Sequence, residues 1–164
     1  MKNIIGVFGE KNLEYSLWMT LKKFKELISD VYCIEAESLL GESINEVVRN
    51  KNTNFFVAFN LTGFDQTTLT DNISYNLLPC KQIHIITKDN LPNEKYLEKQ
   101  LSISMFFYCT DAKYCQYLLE KYPDIPYLEL VEEWKEQDNE ESVESNAKIL
   151  SNIVEEVIQM CHMK

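Results

Sequence analysis

Apolar residues in this chain fall into two patterns that alternate along its length. Residues 3–8, 31–34, 54–59, 82–87 and 103–108 are short, nearly continuous apolar runs (NIIGVF, VYCI, NFFVAF, QIHIIT and ISMFFY). Runs of this length without polar alternation suit strands covered on both faces, as in a parallel sheet. Between them the spacing changes to threes and fours. Leu13, Leu17, Leu21, Phe24 and Ile28 line one helical face, with Trp18 beside them and Asn12 placed to cap the first turn. Leu39, Leu40, Ile44, Val47 and Val48 predict a second helix begun by Ser38 and interrupted near Gly41. A short helix is expected at 73–78, another from an Asn93 cap to Leu101, and a third, capped by Thr110 or Asp111, carrying Tyr114, Cys115, Leu118 and Leu119.

Pro123 and Pro126 end that last helix, because each proline disfavours helix at the residue before it. Residues 127–131 fit a short sixth strand at a sheet edge. The run EEWKEQDNEE at 132–141 reads as a solvated acidic linker. The most regular stripe comes last, in a helix over 142–161: Val143, Ala147, Leu150, Val154, Val157 and Cys161 fall on one face. Asp138 and Glu141 stand at capping-box spacing, with Ser142 as a rival start. So apolar a face must be covered, either by the chain's own sheet or by a protein partner or second copy of the chain.

This alternation predicts an α/β fold: a three-layer sandwich around a mostly parallel five-stranded sheet, of flavodoxin-like or Rossmann-like topology, with a long C-terminal helix. One domain over 1–164 is expected, made of an alternating core (1–131), the acidic linker and the final helix. A chain of 164 residues with 45% apolar content can bury such a core.

Charge narrows the partners. Net charge is −10, and Arg49 is the single arginine among the 16 basic residues. Phosphate recognition favours clustered Lys and Arg, so neither nucleic acid nor an anionic membrane surface is expected as a partner. The N-terminal residues read as a first strand and not a signal peptide, which makes the cytoplasm the expected location. Five cysteines at irregular spacing are expected to be reduced, buried hydrophobes. Cys109, Cys115 and His84 match no common zinc spacing, and no metal is expected of them. His84 lies mid-strand, where a buried neutral imidazole is the simpler role. No carboxylate pair has a spacing that marks glycosidase chemistry.

Open parallel sheets take ligands beyond the carboxyl ends of their strands. The residues there predict the site: Glu10 after the first strand, Asn60, Thr62, Gly63, Phe64 and Asp65 after the third, and Thr87 at the end of the fourth. Gly63 lets the backbone turn, Asn60 and Thr62 donate and accept, Asp65 accepts, and Phe64 can cover an apolar portion of a ligand. No GxGxxG and no GxxxxGK[ST] occurs, and Glu10 stands where phosphate would dock, so no nucleotide or flavin cofactor is expected. The wall suits a small neutral or cationic polar ligand, or a divalent ion, over phosphate.

Glu10, Asn60, Thr87 and Cys109 give the stretch 1–122 a resemblance to the receiver domain of bacterial response regulators. Receivers carry acidic residues after strand one, a phosphorylatable Asp after strand three, Thr or Ser after strand four and Lys after strand five. Asn60 replaces that Asp and Cys109 that Lys, so the resemblance implies a degenerate, non-phosphorylated interaction module. The run NFFVAFN, 54–60, also resembles a strand and cleft-facing loop of the N-terminal halves of GT-B glycosyltransferases. Those enzymes take the nucleotide-sugar largely on a C-terminal half, so that likeness implies a detached relative or accessory partner. The expected function is therefore a cytoplasmic α/β binding or protein-interaction module. The alternative is a small hydrolase or transferase using the acidic crevice, with a divalent ion on Asp65, Asp89 or Asp111.

Overall fold

The computed structural model describes residues 3–9, 14–35, 44–61, 78–87, 97, 101 and 103–162. Six strands, β1 (Ile5–Gly9), β2 (Val31–Glu35), β3 (Phe55–Phe59), β4 (Lys81–Ile86), β5 (Met105–Cys109) and β6 (Leu128–Leu130), form one sheet in the order β2-β1-β3-β4-β5-β6. Every pairing is parallel. The first five positions reproduce the flavodoxin-like order, and the short β6 extends it as the edge strand that the 127–131 pattern suggested. The described helices are α1 (Tyr15–Leu27), α2 (Ile44–Asn50), α3 (Ala112–Lys121) and α4 (Glu140–His162).

Side chains alternate between the two faces of the sheet, and each face has its own core. Val7, Phe55, Val57, Phe59, Ile83, Ile85 and Tyr108 meet α1 and α4 through Leu17, Leu21, Phe24, Leu150, Val154 and Val157. Phe8, Phe56, Ala58, Ile86, Phe107 and Cys109 meet α2 and α3 through Ile44, Val48, Tyr114, Cys115 and Leu118. All five residues of both β1 and β3 are buried, whereas β2 and β6, at the two edges, are partly exposed. This is why the central strands read as unbroken apolar runs. Leu78, Leu97 and Leu101, the described residues of the two helices expected at 73–78 and 93–101, belong to the α2/α3 layer. The Asn12 and Ser38 helix starts lie outside the described residues.

Helix α4 starts where neither expected cap stands. Asn139 Oδ1 accepts from the Ser142 amide at 2.8 Å, and the Asn139 carbonyl accepts the first intrahelical bond, from Val143. Asn139 is thus the N-cap, in place of Asp138 or Ser142. The stripe packs on the chain's own sheet and on α1: Ala147, Leu150, Val154 and Val157 are fully buried, joined by Ile153 and Asn146. The acidic stretch before it is exposed at its charged positions, but Trp134 within it is buried, its ring 5.8 Å from that of Phe59 at the end of β3. Asn146 holds the backbone alongside, accepting from the Lys135 amide (2.9 Å) and donating to the Lys135 carbonyl (2.8 Å). One indole and one amide therefore pin a run that its charges alone would leave in water.

Candidate functional site

The strand order runs one way from β1 to β2 and the other way from β3 to β6, so the sheet reverses between β1 and β3. The crevice expected of such a sheet lies beyond their carboxyl ends. At the end of β1, a Cβ on Gly9 would come within 1.9 Å of the Trp18 ring. Glycine there admits the indole, which is half-buried and carries the Lys22 ammonium 5.2 Å from its ring centroid. The sequence shows Trp18 only as a neighbour of the α1 stripe. The paired signal is a strand-ending glycine with an off-stripe aromatic in the next helix.

At the end of β3 the chain enters the left-handed region twice in succession, at Asn60 (φ 50°) and Leu61 (φ 56°). Asparagine tolerates this conformation well, whereas leucine pays about 1–2 kcal/mol for it. Both residues are buried, and the Leu61 side chain anchors the turn in the α2/α3 core. Asn60 then closes onto β4. Its Nδ2 donates to Thr87 Oγ1 at 2.8 Å, its Oδ1 accepts from the Thr87 amide at 2.7 Å, and its own amide donates to the Ile85 carbonyl at 2.7 Å. The side chain thereby continues the β3–β4 ladder one step past the point where the backbone has turned away. Of the seven expected site residues, Asn60 and Thr87 are brought together in this way. Glu10, Thr62, Gly63, Phe64 and Asp65 lie outside the described residues.

The strand ends beyond β4 are also occupied by structural bonds. Asp111 accepts from the Tyr114 amide at 2.8 Å and caps α3, while Thr110 Oγ1 donates to Glu136 Oε1 at 3.2 Å. Asp65 and Asp89, the other carboxylates considered for a divalent ion, are outside the described residues. Among the described residues no group of three or more His, Cys, Asp and Glu side chains is arranged to hold a metal ion. Cys109 and Cys115 are buried in the α2/α3 core, where burial pushes the Cys115 thiol up.

His84 is fully buried in the middle of β4. Its Nε2–H donates to Gln82 Oε1 at 3.0 Å, and its ring stacks on Phe107 with centroids 5.3 Å apart. Burial holds its pKa down to about 3, so the ring is neutral at physiological pH. A cleft of about 520 Å³ opens at the opposite, amino end of the sheet, between Leu101, Ile103 and the turn after α3. It lies away from the strand ends where this architecture places ligands.

Compared with protein-family models, with characterised proteins and with solved structures, the chain matches none.

Proposed function

We propose that the chain is a non-catalytic α/β binding module that takes a small polar ligand, neutral or cationic, beyond the carboxyl ends of β1, β3 and β4. The observation that carries this is the Asn60–Thr87 pair. The Asn60 side chain holds Thr87 twice, donating from Nδ2 to the Thr87 hydroxyl and accepting at Oδ1 from the Thr87 backbone amide, and this makes the pair wall and brace. Neither is poised as a nucleophile or a general base, and His84 is held neutral within the sheet, with its Nε2 bonded to Gln82. The two successive left-handed residues support a purpose for the turn, since strained backbone concentrates where a loop must be aimed. Glu10, Thr62, Gly63, Phe64 and Asp65 join the proposed wall on their sequence positions, and Trp18 on its contact with Gly9.

A cytoplasmic setting belongs to this proposal. None of the five cysteines, all within the described residues, is in a disulfide, as suits a reducing compartment. No described helix is long and apolar enough to cross a membrane. The middle of the α4 stripe, Ala147, Leu150, Val154 and Val157, is buried within the molecule, and Val143 and Cys161 at its two ends are partly exposed.

Acetyl phosphate tests the absence of chemistry, because it can donate either a phosphoryl or an acetyl group. Incubated with it and magnesium, the protein should keep its intact mass. A stoichiometric adduct that disappears in Asn60→Ala or Thr87→Val would show a reactive centre at these strand ends and overturn the proposal.

A further inference from the structure

On the α1/α4 face, Phe59, Ile85, Tyr108 and Glu129 stand on one rung across β3, β4, β5 and β6. Where that rung reaches the edge strand, a cleft of about 320 Å³ opens between β6 and α4. Ile149 and Ile153 give it an apolar floor, and Glu129, Glu133 and Glu156 bring carboxylates to it. Tyr127 stands beside them, its hydroxyl donating to Glu129 Oε2, with Glu156 Oε1 at 3.4 Å.

Two features distinguish this cluster from an ordinary acidic surface. Tyr108 lines the cleft and is only 1% exposed, yet its hydroxyl has no hydrogen-bond partner among the described residues. A buried hydroxyl left unsatisfied is costly and uncommon. It also sits close to the acidic groups: after burial, the nearness of Tyr127, Glu156 and Glu129 holds its proton more tightly than usual. The second feature is the lack of counter-charge. Lys23 pairs with Glu26 and Glu144, but among the described residues no lysine or arginine forms an ion pair with Glu129, Glu133 or Glu156. Burial, and then the neighbouring Glu129, hold the Glu156 carboxyl above its ordinary value.

The geometry points to a binding site for a small alkylammonium group in this cleft, its three N–H donors meeting Glu129, Glu156 and the Tyr108 hydroxyl, its alkyl body on Ile149 and Ile153. An ammonium carries three donors and no acceptor, which matches a set of acceptors around an apolar floor. The Tyr108 and Tyr127 rings, 5.7 Å apart, add aromatic faces favourable to a cation. The volume is at the small end for ligand pockets and suits a short amine. This site is separate from the carboxyl-end crevice and stands whether or not that crevice binds anything.

The test is calorimetric titration of the full chain, at physiological salt, with butane-1,4-diamine and with lysine blocked at its α-amine and carboxyl groups. Saturable one-to-one binding is expected, weakened about tenfold or more by Tyr108→Phe and by Glu156→Gln, since hydrogen bonds to charged groups are worth at least that factor. Tyr108→Phe should melt close to the parent, because among the described residues the buried hydroxyl it removes has only the Tyr127 hydroxyl beside it. Tighter binding of the diamine assigns the site to a free amine, and tighter binding of the blocked lysine to a lysine side chain of a partner protein. Three outcomes overturn the site: no saturable binding, unchanged affinity in Tyr108→Phe, or equal weakening by Glu140→Gln, which alters a remote exposed carboxylate.

Discussion

Asn60 does two jobs that single substitutions can separate. Asn60→Ala removes both bonds to Thr87, strands its amide, and forces a Cβ-bearing residue without a local hydrogen bond to keep a φ of 50°. The expected loss is about 2–4 kcal/mol, measured by urea unfolding. Asn60→Gly loses the same bonds but adopts the conformation freely, so it should recover about 1 kcal/mol of that loss. Equal stability of the two variants would mean the backbone is unstrained there. His84 makes the other prediction at this scale. Its folded pKa, near 3, lies below the ordinary value of 6.5. Below pH 6.5 the unfolded chain binds a proton that the folded chain refuses, so stability falls as pH falls. Between pH 7 and 5 this amounts to about 2 kcal/mol. His84→Gln should flatten that part of the stability profile, and an unchanged slope would show that the ring titrates normally.

At the scale of elements, α4 is the test case. Leu150→Ala should cost about 2–5 kcal/mol, because the residue is wholly buried between α1 and the sheet and its removal leaves a cavity. Asn139→Ala should cost about 1 kcal/mol through the lost cap. A Leu150→Ala protein that melts with its parent would mean that the helix is peripheral. The strands and the stripes of α1, α3 and α4 were legible because burial on one or both faces imposes a period. The start of α4 was harder, since Asp138, Asn139 and Ser142 are all competent caps and only the path of the backbone chooses among them. Trp134 was hidden for a related reason: a single indole in a run of carboxylates has no period to announce its burial.

For the whole molecule, alternation of strand and helix gave the α/β class, but not the order β2-β1-β3-β4-β5-β6. Buried parallel strands are all alike in composition, and their neighbours are set by long crossovers that leave no local mark. The candidate site was legible in part. Asn60 and Thr87 were readable as strand-end residues, while their mutual bonding depends on β3 and β4 being adjacent. The β6/α4 cleft was not legible at all, because Tyr108 in a buried strand looks like any core aromatic until its hydroxyl is found without a partner. The central claim is that the strand-end polar groups brace the crevice and do no chemistry, and hydrogen exchange at the Thr87 amide tests it most directly. With Asn60 in place that amide should be protected like those within β4, and Asn60→Ala should abolish the protection. Free exchange of the Thr87 amide in the unaltered protein would leave Asn60 and Thr87 available to a substrate and contradict the account.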